Sequence, residues 1–234
     1  MQAIILAGGK GTRLKPFSNC IPRPLVPLGD QSLLAIVLKQ LRYYEVDRVT
    51  IAVNHLARLI QAFFGDGAGL GLSIEYSQEE EALGTPGPIR LVKKLDDDFI
   101  VMNGDLLTTI NYRDCFVGHV SGGYDATIGT FRKEVKIDLG VLKMENGRFV
   151  DYVEKPTCTY DVSMRIYALN RRCIEFVLAD AKFDMPDLML ALHRAGRKIA
   201  CHFGDYEWLD IGRVDDYDEA VAVFERDRAK YLPT

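Results

Sequence analysis

An apolar run, Gln2–Leu6, opens directly onto Ala7-Gly8-Gly9-Lys10-Gly11-Thr12-Arg13-Leu14. Glycines straight after a strand let backbone N–H groups come close to a ligand, where side chains would clash. Such a loop can cradle phosphate oxygens, and Lys10, Arg13 and Lys15 add positive charge beside it. The pattern is not a Walker A loop, which requires G-x-x-x-x-G-K-[ST]. Nor is it the dinucleotide G-x-G-x-x-G, because Leu14 stands where the last glycine would be. Phosphate binding is one reading of this segment; a tight turn that holds no ligand is the other.

The remaining residues that could do chemistry are less specific. The five cysteines, at 20, 115, 158, 173 and 201, form no C-x-x-C pair and have no histidine at zinc-ligand spacing. They read as reduced core or surface thiols of a cytoplasmic protein. His55, His119, His193 and His202 show no pairing pattern. Asp96-Asp97-Asp98 suits a turn better than a metal site, since consecutive side chains do not easily converge. Asp215, Asp216 and Asp218 suit the positive end of a closing helix. The formal charge of −4 argues against broad binding to nucleic acid or to an acidic membrane, but not against a small anion. No targeting or membrane-spanning segment is legible, so a cytoplasmic location is expected.

The elements that must position the glycine loop follow from hydrophobic periodicity. Strands are expected at 2–6, 48–53, 72–76 and 99–102, with helices at 32–44, 56–64 and 88–95 between them. Strands that alternate with helices imply right-handed crossovers and a mostly parallel twisted sheet covered on both faces. Ligands of such sheets sit at the carboxyl ends of the strands. That rule puts the residues after Leu6 and after Met102 on one working edge. The second half reads as short strands at 126–131, 140–143, 149–153 and 162–168, joined by turns such as Asn146-Gly147. Helices are expected at 171–178, 185–195 and 214–229, with a strand at 199–203. The fold class is therefore α/β: a Rossmann-like, mostly parallel mixed sheet flanked by helices, with a smaller embedded lobe and a cleft between the two. The 234 residues suit one domain.

The stretch GGKGTRLKPFSNCIPRPLVPLGD resembles the opening of the sugar-1-phosphate nucleotidyltransferase family, whose pattern is close to GGxGTRLxPxTxxxPKPMxPV. The likeness continues through Leu83-Gly84-Thr85, Asn103-Gly104-Asp105, Val153-Glu154-Lys155-Pro156 and Trp208-Leu209-Asp210-Ile211-Gly212. Short mannose- and heptose-1-phosphate guanylyltransferases look most similar, and the C-terminal β-helix of some larger relatives is not expected within these 234 residues. The resemblance implies that an oxygen of a sugar 1-phosphate attacks the α-phosphorus of a nucleoside triphosphate and that pyrophosphate leaves. The attacking group is already an anion, so the reaction needs in-line positioning and charge neutralisation rather than a general base.

The resemblance also implies roles residue by residue. Leu6, Ala7, Gly8, Gly9, Gly11, Thr12, Arg13, Glu80, Gly84, Thr85, Asn103 and Asp105 would bind the nucleotide. Asp105 and Asp210 would hold Mg²⁺, a hard ion suited to carboxylates. Gly140, Glu154 and Lys155 would take the sugar phosphate, and Arg165, which departs from the family pattern, is a further candidate for it. Arg13, Arg23 and Lys155 would serve the reaction itself, and losing one such cation could cost about 2–4 kcal/mol in the transition state. The nucleotide half would span about 1–110 and the sugar-phosphate half about 111–234.

Two residues depart from the family pattern. Arg23 replaces the usual lysine, exchanging a compact charge for a planar fork. Arg165 stands where glycine is common. Strand alternation puts it with Ser163 and Tyr167, opposite Val162, Met164 and Ile166. If that face looks into the cleft, Arg165 narrows the sugar pocket or adds a phosphate contact; otherwise it is a surface arginine. Glutamates at 79–81 lie where the family reads the base. Guanine's adjacent N1–H and N2–H donors suit a carboxylate, so GTP is favoured. The alternatives are a uridylyl- or thymidylyltransferase, or a nucleotide-sensing protein without turnover. The expected partners are the NTP and the sugar 1-phosphate, with no nucleic acid, no membrane and a possible homo-oligomer.

Overall fold

The computed structural model describes residues 1–9, 14, 21–54, 56–78, 84–177 and 183–233. In chain order the first half contains β1 (Gln2–Leu6), β2 (Pro27–Leu28), β3 (Gln31–Ser32), α1 (Leu33–Tyr43), β4 (Arg48–Val53), α2 (Ala57–Phe64), β5 (Ser73–Gln78), β6 (Asp98–Asn103) and β7 (Leu106–Thr108). The second half contains α3 (Tyr112–Gly122), β8 (Ala126–Lys136), β9 (Val141–Glu145), β10 (Arg148–Val153), β11 (Thr157–Asn170), α4 (Met185–Arg194), β12 (Ile199–His202), β13 (Trp208–Asp210), α5 (Val214–Arg226) and α6 (Arg228–Tyr231).

The main sheet has seven strands in the order β12-β8-β11-β6-β1-β4-β5. The pairings β1–β4, β1–β6, β4–β5 and β12–β8 are parallel, whereas β11 runs antiparallel to both neighbours. Alternation along the strands builds two cores. Ala3, Ile5, Ile51 and Met102 face one side and pack with Leu34, Leu38 and Leu41 of α1, Ile60 of α2 and Tyr112 and Cys115 of α3. Ile4, Phe99 and Val101 face the other side and meet Met185, Leu188 and Leu192 of α4. Each buried Ile, Leu or Phe here contributes roughly 1.5–3 kcal/mol. A third cluster joins Leu33 and Ile36 of α1 to Ile211 and to Phe224 and Tyr231 of the C-terminal helices. Gln40 ties these layers together, because its Nε2 donates to the backbone oxygens of Thr108 and Tyr231 at 2.8 and 2.9 Å.

Local chemistry explains where the elements stop. Ser32 caps α1 by accepting from the Ala35 N–H, and Asn111 caps α3 by accepting from the Asp114 N–H. The helix expected at 88–95 is only a 3₁₀ turn, Gly87–Leu91, with Pro86 and Pro88 at its start. The one expected at 171–178 is a 3₁₀ turn as well, Arg171–Phe176. The closing helix breaks at Asp227 into α5 and α6. The strands expected at 126–131 and 162–168 extend beyond the sheet as β8 and β11, and the β9–β10 hairpin lies between them in the chain. This extension is the embedded lobe, and every residue of β9 and β10 is exposed. Among the described residues no helix is long and apolar enough to cross a membrane.

Candidate active site

The cleft forms where β1, β4 and β6 end. The Leu6–Asn103 register pair closes the β1–β6 ladder, and the Gly104 N–H then donates to the Leu6 oxygen at 3.0 Å. The Ala7 N–H likewise extends the β4 ladder by bonding to Ala52. These bonds hold the loops after β1 and β6 side by side. A cavity of about 270 Å³ opens there, lined by Leu6, Gly8, Gly9, Arg23, Ala52, Asn54, Gly84, Thr85, Pro88, Asn103, Asp105 and Asp184. A Cβ at Gly9 would stand 3.1 Å from the Arg23 guanidinium and would press it aside by a few tenths of an ångström.

Arg23 crosses this space to Asp105, with Nη1 2.7 Å from Oδ2 and both side chains largely buried. Burial pushes the Asp105 carboxyl above the ordinary carboxylate range; Arg23 opposes the shift, nearby Asp210 adds to it, and Arg165 opposes it. Asp210 is brought close because β13 pairs with β7, Asp210 lying opposite Leu106, while the Ile211 N–H bonds to the Asp105 oxygen at 3.0 Å. Asp210 Oδ2 meets Arg165 Nη2 at 3.2 Å, and its Oδ1 is buried without a hydrogen-bond partner among the described residues. Each carboxylate therefore faces one of the two arginines that depart from the family pattern.

Arg165 is presented from an irregular strand. Between Ser163 and Tyr167, β11 advances four residues while β8 advances two, from Thr130 to Ile128. Arg165 takes up part of this slip with a φ of +59°, in the left-handed region. Met164 and Ile166 are buried, and Ser163 Oγ lies 3.0 Å from Tyr167 Oη. The expected division of faces thus survives the bulge. A second cavity, about 320 Å³, is lined by Ser163, Arg165 and Tyr167 and shares Thr85, Asn103 and Asp184 with the first.

Gly84 sits at φ +82°, and a Cβ there would come within 2.1 Å of the Phe183 oxygen. This contact seats the Gly84-Thr85 segment on the start of α4, where Asp184 Oδ1 accepts from the Thr85 N–H and hydroxyl at 3.3 and 3.2 Å. Asp184 is also part of the capping box of α4 with Asp187. It is a cleft residue that motif reading missed. The available signal was the D-x-P-D pattern of a helix start, which marks a cap but says nothing about a cleft.

Leu6, Gly8, Gly9, Arg23, Gly84, Thr85, Asn103 and Asp105 thus line one cavity, beside buried Ala7, and Arg165 and Asp210 adjoin it. Gly11, Thr12, Arg13 and Glu80 lie outside the described residues, as do Lys10 and Lys15. Gly140, Glu154 and Lys155 do not line either of these two cavities. They belong to the lobe, where the Tyr152 hydroxyl donates to Glu154 at 2.7 Å and Lys155 is exposed at a φ of +44°. A third cavity, about 720 Å³, lies against Asp210 between β8, β13 and α5, with Phe131 and Trp208 in tilted contact along its wall.

Fold and site together define an α/β protein whose cleft lies at the carboxyl ends of parallel strands and, among the described residues, brings together the carboxylates of Asp105, Asp184 and Asp210 and the guanidinium groups of Arg23 and Arg165. The chain belongs to the nucleotidyl transferase family, whose model matches residues 2–226. It is 31% identical over 94% of its length to a UTP–glucose-1-phosphate uridylyltransferase of Synechocystis, of which it spans 62%. It is 28% identical, over 94% of its length and 96% of the relative's, to the D-glycero-α-D-manno-heptose 1-phosphate guanylyltransferase of Aneurinibacillus thermoaerophilus. Among solved structures, HddC from Yersinia pseudotuberculosis superposes with a TM-score of 0.74 at 26% identity, covering 95% of this chain and 99% of that one.

Proposed function

We propose that this chain transfers a nucleoside monophosphate from an NTP to a sugar 1-phosphate and releases pyrophosphate. The observation that carries the reading is the juxtaposition of the Arg23–Asp105 and Arg165–Asp210 pairs beside the post-strand glycines. In the reaction an acceptor phosphate oxygen forms the new bond to the α-phosphorus as the α–β phosphoanhydride bond breaks. Gly8 and Gly9 leave room for triphosphate close to the backbone, while Arg23 and Arg165 neutralise charge that builds up in an associative arrangement of two anions. The first half of the chain would serve the nucleotide. The second half, through Arg165 and the lobe residues Gly140, Glu154 and Lys155, would serve the sugar phosphate.

The carboxylates fit a Mg²⁺ ion. Among the described residues Asp210 Oδ1 is a buried oxygen without a partner, and Asp105 lies near it. Among the described residues no third His, Cys, Asp or Glu joins them. Mg²⁺ commonly takes one or two carboxylates and completes its shell with water and phosphate oxygens. When bound, the ion would screen phosphate charge and favour departure of pyrophosphate.

GTP with a mannose- or heptose-type acceptor is the favoured substrate pair, supported by the glutamates at 79–81 and by the heptose-specific relative. The uridylyltransferase relative supports UTP as the second reading. The test is a matrix of five NTPs against hexose and heptose 1-phosphates with Mg²⁺, scored by pyrophosphate release. Turnover with GTP and a manno-configured acceptor is expected. Turnover with UTP and glucose 1-phosphate alone would transfer the assignment, and tight nucleotide binding without turnover on any acceptor would contradict the enzyme reading.

A further inference from the structure

We propose that Arg165 is a tethered cation that competes with the divalent metal ion for Asp210, so that metal entry breaks the Arg165–Asp210 pair. This rests on the reading of Asp105 and Asp210 as metal-binding carboxylates and adds to it a residue that regulates access.

The two arginine–aspartate pairs are built differently. Arg23 and Asp105 are 16% and 8% exposed and 2.7 Å apart, which describes a fixed pair. Arg165 and Asp210 are 43% and 22% exposed and 3.2 Å apart, which leaves the guanidinium free to exchange with water. A partly exposed ion pair of this kind is weak, at roughly the level of a fivefold equilibrium. A divalent ion offers Asp210 twice the charge of a guanidinium at short range. Among the described residues Asp210 is also only half satisfied: Oδ2 faces Arg165, whereas Oδ1 is buried without a partner. A buried carboxylate oxygen of this kind has capacity left for a ligand.

The backbone around Arg165 is arranged to deliver the side chain to that carboxylate. A long side chain at φ +59° is strained and persists only where its surroundings enforce it. Here the Arg165 N–H donates to Ser163 Oγ at 3.2 Å, and Trp208 Nε1 donates to the Met164 oxygen at 3.0 Å. Trp208 lies two residues before Asp210 on β13, so this bond fixes the strand carrying the arginine to the strand carrying the aspartate. Once displaced from Asp210, the guanidinium remains beside the cavity it shares with Ser163, Tyr167 and Asp184, where an anionic acceptor would meet it.

Trp208 is the only tryptophan in the sequence and therefore reports on this link. The test titrates the full chain, without nucleotide, with Mn²⁺ read by the free-ion electron paramagnetic resonance signal and with Mg²⁺ read by Trp208 emission. Arg165→Gly and Arg165→Gln are compared with the unaltered protein, Asp105→Asn and Asp210→Asn. Glycine accepts the positive φ, and glutamine keeps much of the bulk, so the two variants do not share a folding risk. Both are expected to bind Mn²⁺ roughly fivefold more tightly. Their Trp208 response to Mg²⁺ should be smaller, because no ion pair is left to break. Unchanged affinity in both Arg165 variants, with binding weakened by Asp210→Asn, overturns the competition alone. Unchanged binding in Asp105→Asn and Asp210→Asn overturns the metal-site reading beneath it.

Discussion

Arg23 and Asp105 show why a residue type cannot be exchanged freely at this site. The guanidinium lies in a narrow space that Gly9 keeps open, against a carboxylate whose burial already disfavours its charge. Arg23→Met should lower kcat/KM for the favoured NTP by roughly a hundredfold to a thousandfold, with Arg23→Lys retaining part of it, as steady-state kinetics would show. It should also destabilise the fold by about 3–5 kcal/mol, because it leaves Asp105 buried and unpaired. Adding Asp105→Asn should restore part of that loss in thermal denaturation. His119 makes a separate prediction. It is fully buried, with Nδ1 2.9 Å from the Thr127 hydroxyl. Burial holds its pKa below the ordinary imidazole value, although Asp98 and Asp125 pull the other way. The unfolded chain therefore takes up this proton first as pH falls. The stability contribution is full above about pH 6.5 and declines below it. Urea denaturation between pH 5 and 8 should show that slope, reduced in His119→Gln; a flat profile across the range would contradict it.

At the level of elements, the cleft depends on segments locked together far from their own chain neighbours. Gly84 has no space for a Cβ against Phe183, so Gly84→Ala must move the Thr85 segment away from Asp184. The expected result is a KM for NTP raised about tenfold or more with a smaller change in kcat, the pattern of lost nucleotide binding. The β9–β10 hairpin makes the opposite prediction. A two-stranded ribbon exposed on both faces is marginal in water, so its amides should exchange with solvent much faster than those of β1, β4 and β6. The parallel strands and their helices were legible because hydrophobic periodicity records burial directly, and the β4 bounds match residue for residue. The short 3₁₀ turns at 87–91 and 171–176 were not, since apolar residues at helical spacing do not distinguish a 3₁₀ turn from an α-helix. Strand alternation placed Arg165 with Ser163 and Tyr167, but the register slip that turns its backbone left-handed depends on pairing with β8 and leaves no local mark. Motif likeness located Asp105, Asp210 and Arg23; their pairings with particular partners depend on tertiary distances. Asp184 was invisible for the same reason, its local pattern being that of an ordinary helix cap.

Across the whole molecule, one sheet with helices on both faces brings the ends of β1, β4 and β6 to a common edge, and the β7–β13 pair then carries Asp210 to Asp105 from more than a hundred residues away. The lobe meets this centre through Arg132, Lys133 and Glu134 of β8, which share a cavity with Asp210, while Gly140, Glu154 and Lys155 lie on its outer segments. If these residues serve the acceptor, their loss should raise the KM for sugar 1-phosphate and leave nucleotide affinity unchanged. Lys155→Ala, assayed by KM for each substrate and by equilibrium binding of the NTP, checks that division. The central claim is that Asp105 and Asp210 form the charge-handling centre of a nucleotidyl transfer. Its most direct test is pyrophosphate release by the unaltered chain, Asp105→Asn and Asp210→Asn, using the best NTP and sugar 1-phosphate pair with Mg²⁺ and with folding checked by circular dichroism. The account predicts turnover by the unaltered chain and a loss of roughly a hundredfold or more in each folded variant. Turnover at the unaltered rate in either folded variant would contradict it.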